Sequence, residues 1–69
     1  MKYLKINDFT EPELELLRKL CNFDDEQLQY FNLRAKNKSN VEISMEMNIS
    51  ESKVSTLARK VKSKILKVI

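Results

Sequence analysis

Residues 40–59 read NVEISMEMNISESKVSTLAR, and their spacing decides the fold. Counted from Asn40, the apolar residues Ile43, Met47, Ile49, Val54 and Leu57 fall at the fourth, eighth, tenth, fifteenth and eighteenth places. This spacing predicts two short helices that cross steeply around a tight turn and bury a shared face. The fifth place, Ser44, is small, as the crossing of the second helix requires. The ninth place, Asn48, must turn the chain with positive φ, which Asn tolerates better than any residue except Gly.

The places left outside on the second helix are Ser52, Lys53, Ser55, Thr56 and Arg59. Two helices so spaced form a helix-turn-helix, whose second helix offers polar and cationic side chains to a DNA major groove. Short Ser55 and Thr56 let the backbone approach base edges, and Arg59, one turn on, is long enough for a bidentate contact to guanine. Ser52 and Ser50 stand at the helix N-terminus, where the dipole favours a phosphate; Ser52 also lies within reach of base edges. Lys53, Lys60 and Lys64 are expected on phosphates, which position the module without reading sequence. Lys36 and Lys38 flank the turn before the first of the two helices, so Lys38 and the cap residue Ser39 are further phosphate candidates. A solvated helix face, with Ser50 and Ser39 serving as caps alone, is the plain alternative.

Charge distribution agrees. The net charge is +3 over 69 residues. Residues 1–33 hold four basic and seven acidic side chains, whereas residues 34–69 hold nine basic and three acidic ones. From Ser52 onward six residues are basic and none is acidic. A polyanion is therefore drawn to the C-terminal half and repelled by the N-terminal half.

Composition excludes other classes. A chain of this size buries only about 60% of its unfolded surface, too little for a deep catalytic pocket. There is no His and no Gly, which removes the commonest general base and any glycine-rich phosphate loop. The chain is not expected to be an enzyme or to carry a cofactor. The lone Cys21 suggests a reducing, cytoplasmic setting and packs as a small hydrophobe. No apolar run reaches the roughly 18 residues of a membrane span, and Met1 to Ile6 is not followed by a signal-peptide core. Asp24, Asp25 and Glu26 match no calcium loop and instead favour a helix N-terminus. Met45 and Met47 read as core or near-core.

Four N-caps imply four helices, an all-α domain over residues 1–69. Thr10 with Glu13, Asp24 with Gln27, and Ser39 with Glu42 are capping boxes; Ser50 is a cap without an acidic third residue. Asn22, Asn37 and Asn48 are the expected turn residues. The scaffold occupies 10–36, with helices over 11–20 and 25–36. The first buries Leu14, Leu17 and Leu20; the second buries Leu28, Phe31 and Ala35, with Leu33 or Tyr30 at the edge. The helix-turn-helix occupies 39–68, with helices over 40–47 and 51–68, the long one buried through Val54, Leu57, Ala58, Val61, Ile65 and Val68. Residues 1–9 form an N-terminal arm. Its alternation over Met1 to Ile6 is strand-like, with no strand to pair with, so the arm is either disordered or docked. Ile65, Leu66, Val68 and Ile69 exceed what one stripe needs. They either close the core against the first helix or pair with a second copy, since dimers of this motif read two half-sites.

Residues 24–66, about two thirds of the chain, resemble the four-helix DNA-binding domains of bacterial sigma factor region 4 and of LuxR-type response regulators. Phe31-Asn32-Leu33-Arg34 resembles the end of their scaffold helix, and Ser39-Asn40-Val41-Glu42-Ile43-Ser44 resembles their Ser-x-x-Glu-Ile-Ala. Asn48-Ile49-Ser50-Glu51-Ser52-Lys53-Val54 resembles their Gly-Ile-Ser-Glu-x-Thr-Val, and Lys62-Ser63-Lys64-Ile65 their basic helix end. Asn37 and Asn48 replace the usual glycines, Lys53 the usual Thr, and Ser55 a common Lys. The resemblance implies base reading by Ser55, Thr56 and Arg59. It also implies RNA polymerase or an anti-sigma protein as partners in an alternative, adaptor role. A free-standing module of this kind resembles the small regulators of phages and mobile elements.

Overall fold

The computed structural model describes Ile6 and residues 9–69. It consists of α1 (Glu11–Cys21), α2 (Asp25–Ala35), α3 (Asn40–Met47) and α4 (Glu51–Val68), with no strand among the described residues.

Each helix starts where a side chain takes up orphan backbone N–H groups. Thr10, Asp24, Ser39 and Ser50 accept from the backbone of Glu13, Gln27, Glu42 and Lys53. The first three are reciprocal boxes, in which the third helical side chain accepts from the cap's own N–H. Pro12 sits in the first turn of α1, where its missing N–H costs nothing.

The helix ends are set by three asparagines. Asn22, Asn37 and Asn48 have φ of 51, 66 and 57°, the left-handed region that a chain without glycine must assign to Asn. The turn after α2 is closed by Lys38 N–H to Leu33 O at 3.2 Å and Asn37 N–H to Arg34 O at 2.9 Å. The turn after α3 repeats it, with Ile49 N–H to Ser44 O at 3.0 Å and Asn48 N–H to Met45 O at 3.3 Å. Both are Schellman closures, which satisfy the last carbonyls and reverse the chain within three residues.

α4 is the hub, packing on α1, α2 and α3, while α2 also packs on α3. Phe31, Ile43, Val54, Val61 and Ile65 are fully buried, surrounded by Ile6, Leu14, Leu17, Cys21, Tyr30 and Leu57. Met47 and Ile49 close the core beside the α3–α4 turn, and Ser44 is buried between the two helices. Its hydroxyl donates to Val41 O at 2.8 Å, so the small residue at the crossing leaves no unsatisfied group.

Several expectations are corrected. α1 runs to Cys21, and Cys21 rather than Leu20 completes its buried stripe; Leu20 is 52% exposed. At about 100° per residue Leu20 stands roughly a quarter-turn off the centre of Leu14, Leu17 and Cys21. α2 ends at Ala35 and is rotated by about one residue: Gln27, Tyr30 and Phe31 are buried, and Leu28 and Ala35 only partly. Gln27 goes inward because it has polar partners there. Val68 and Met45 are exposed, Met45 at 69%. Ile6 is buried in a 3-10 turn, with Phe9 N–H bonded to Ile6 O at 3.2 Å, rather than in a strand. The strand-like reading of Met1 to Lys5 falls outside the described residues.

Candidate nucleic-acid interface

On α4 the residues Val54, Leu57, Val61 and Ile65 are buried and Ser52, Lys53, Ser55, Thr56, Arg59 and Lys60 are exposed. Helical spacing aligns Ser52, Thr56, Arg59 and Ser63 along the pole opposite the core. Ser55 and Lys62 flank this line on one side, and Lys53, Lys60 and Lys64 on the other. Ser63 had not been singled out from the sequence, although it is one step of four beyond Arg59.

The side chains differ in their freedom. The Thr56 hydroxyl donates to Ser52 O at 3.1 Å, which fixes the hydroxyl and leaves the methyl and an acceptor lone pair outward. No described residue holds the Arg59 guanidinium or the Lys60 ammonium. Lys53 approaches Glu26 of α2 at 3.8 Å, with both side chains about half exposed. Such a surface pair contributes only about 0–1 kcal/mol, so a phosphate competes with it readily.

Lys64 is different. Its ammonium donates to Asn22 O at 3.2 Å and to Gln27 Oε1 at 2.5 Å, and lies 5.8 Å from the centre of the Phe23 ring. It closes the corner between α1 and α2, so a phosphate contact there would have to displace these bonds. The sequence offered no sign of this, because the partners lie on other helices.

Beside α3, Ser50 and Ser39 both act as caps: Ser50 Oγ accepts from Lys53 N–H at 3.1 Å and Ser39 Oγ from Glu42 N–H at 3.2 Å. Glu42 Oε1 accepts from Ser39 N–H at 2.9 Å. The Ser39 hydrogen bonds, backbone first and then side chain, hold the Glu42 carboxyl below its ordinary value. The α3 N-terminus thus already carries a carboxylate. Lys38 pairs with Glu46 at 3.8 Å, and its carbonyl accepts from Arg34 Nη1 at 2.7 Å, which ties the α2–α3 loop to α2.

Among the described residues no group of acidic, Cys or His side chains is placed to hold a metal. Burial pushes the Cys21 thiol up, partly offset by Lys64, opposite to the lowering that activates a thiolate. No helix of the described residues is long and apolar enough to cross a membrane. Comparison of the chain with protein families, curated proteins and solved structures gives no match.

Proposed function

We propose that this chain is a sequence-specific double-stranded DNA-binding protein of the helix-turn-helix class, a transcriptional regulator that inserts α4 into the major groove. The observation that carries this reading is the division of α4: an inner face locked into the core and an outer line of Ser52, Thr56 and Arg59, with no acidic residue from Ser52 onward. α3 precedes it through the Asn48 turn and would cross the sugar-phosphate backbone. Arg59, with Ser55 and Thr56, reads base edges; Ser52 stands at the groove entrance. Lys60 and Lys53 take phosphates, helped by Lys38, Ser39 and Ser50 across the strand. The resemblance to sigma region 4 and LuxR-type domains points the same way.

A second reading, an adaptor that binds RNA polymerase or a sigma-related protein, is favoured by one observation. Val41 and Met45 stand exposed one turn apart on α3 at 49% and 69%, an apolar spot that DNA does not require. Salt separates the two. DNA affinity falls steeply between 50 and 200 mM salt because counterions are released, whereas an apolar protein interface is nearly indifferent.

The decisive experiment is selection from a pool of random duplex DNA by the purified protein at two salt concentrations, followed by sequencing. Enrichment of a motif that salt weakens is the expected result. No retention at low salt would transfer the function to the adaptor reading.

A further inference from the structure

Thr56 stands on the exposed line of α4 between Ser52 and Arg59. Its hydroxyl donates to Ser52 O at 3.1 Å, which holds the oxygen against the helix backbone. A threonine hydroxyl has one proton to give, so bound in this way it can only accept. The methyl group is left outward. Ser55, the next exposed residue back, makes no hydrogen bond to a described residue and keeps both donor and acceptor. The two short residues of the proposed reading face therefore differ in chemistry. Ser55 adapts to any base edge, whereas Thr56 offers a methyl group and an acceptor.

The four bases answer such a side chain differently in the major groove. Guanine presents only the acceptors N7 and O6 and gains nothing from it. Adenine and cytosine each present an amino donor, which a hydroxyl drawn back onto the helix reaches poorly. Thymine alone carries an apolar group, the C5 methyl, and a threonine methyl suits it.

We propose that Thr56 selects thymine through that methyl group, close to the guanine taken by Arg59; the inference rests on the DNA reading of α4. The surroundings of Thr56 let so short a side chain reach a base. Ser52 and Ser55 beside it are short too, and the long Lys53 is drawn toward Glu26 of α2 at 3.8 Å. Arg59 is long, and no described residue holds its guanidinium. Thr56 and Arg59 are three residues apart, about 4.5 Å along the helix axis, against about 3.4 Å between successive base pairs. The thymine and the guanine thus fall on the same or on nearby base steps, within two pairs of each other.

The test uses the site recovered by DNA selection, with each thymine replaced in turn by uracil. Uracil lacks the C5 methyl and keeps every hydrogen-bonding group of thymine. Binding of these duplexes is measured for the wild-type chain, Thr56→Ser and Thr56→Val, each checked for an unchanged circular dichroism spectrum. For the wild type, one replacement should weaken binding about fourfold, the scale of one buried methyl group. That thymine should lie within two pairs of the guanine whose preference Arg59→Ala relaxes. Thr56→Val keeps a methyl and should show the same loss. Thr56→Ser lacks it and should bind the thymine and uracil duplexes alike. An enriched motif in which no thymine responds would overturn the proposal and leave DNA binding standing. A loss that persists in Thr56→Ser would also overturn it, because the methyl then acts through duplex shape. Selection without any enriched motif would overturn both this proposal and the sequence-specific reading beneath it.

Discussion

Lys64 Nζ and Gln27 Oε1 meet at 2.5 Å across 37 positions of sequence, joining the C-terminal half of α4 to the start of α2. Gln27 is buried, and the same oxygen also accepts from Asp24 N–H at 3.3 Å. The cap of α2 and the docking of α4 therefore share one acceptor. Lys64→Met keeps the aliphatic stem and removes the charge-assisted bonds. Urea denaturation should show a loss of about 1–2 kcal/mol, the scale of a partly exposed bond to a charged donor. The salt dependence of DNA binding should not change. Unaltered stability with a salt slope shallower by about one would instead make Lys64 a phosphate contact.

Asn48 sets the angle between α3 and α4. A left-handed φ costs a residue with a side chain about 1–2 kcal/mol, least for Asn and nothing for Gly. Asn48→Gly should therefore remain close to wild type in urea, Asn48→Ala should lose about 1 kcal/mol, and Asn48→Val should lose more because of its branched Cβ. If all three variants were equally stable, positive φ at Asn48 would not be what closes the turn.

The helix boundaries were legible because single residues fix them. Thr10, Asp24, Ser39 and Ser50 start helices by local hydrogen bonds, and in a chain without glycine only asparagine readily supplies a left-handed φ. The inner and outer residues of α4 over 52–61 followed from helical period for the same reason. Facing was harder on α2, where Gln27 reads as a surface residue until Lys64 arrives from another helix. Leu20 lies off the buried stripe because Cys21, one residue later, sits nearer its centre. The ion pair of Lys53 with Glu26 was equally hidden, since local pattern carries no information about which helices lie side by side.

The Ser39–Glu42 box should make stability depend on pH. Hydrogen bonds from Ser39 hold the folded Glu42 carboxyl below its ordinary value of 4.5. The group therefore binds a proton less readily folded than unfolded. Its contribution is fully present above the unfolded value and is lost as pH falls through the lower, folded one. Glu42→Gln keeps an acceptor for the Ser39 N–H but does not titrate. The stability difference between wild type and Glu42→Gln should thus shrink as pH drops below 4.5, and the Glu42 carboxyl should titrate low by NMR. A Glu42 that titrates at or above 4.5 would contradict the geometry.

Arg59 and Lys60 are neighbours in sequence with different expected roles on DNA. Arg59→Ala should cost about 1–3 kcal/mol on a selected site and relax the preference at one base position. Lys60→Ala should weaken all duplexes alike and lower the salt slope by about one. Binding titrations on the selected site and on a scrambled duplex, each at several salt concentrations, separate the two effects. Unchanged binding in both variants would mean that α4 is not the reading helix.

Glu26 bears on the same face from the other side. Its carboxylate stands 3.8 Å from the Lys53 ammonium, in a pair about half exposed at both partners. If α4 enters the major groove as proposed, that carboxylate would lie beside the phosphate path, where it would occupy a cation and repel the strand. Glu26→Gln removes the negative charge while keeping much the same shape. Duplex affinity should rise several-fold at low salt, with the gain fading at high salt as the field is screened. Lys53→Ala alone should weaken binding less than Lys60→Ala, because part of the Lys53 charge is already met by Glu26. In a Lys53→Ala background Glu26→Gln should yield a smaller gain, and the difference between the two gains measures the competition between carboxylate and phosphate for one lysine. Equal gains in both backgrounds would show that Glu26 acts on DNA through space and not through Lys53, and no gain in either would place the strand away from this side of α4.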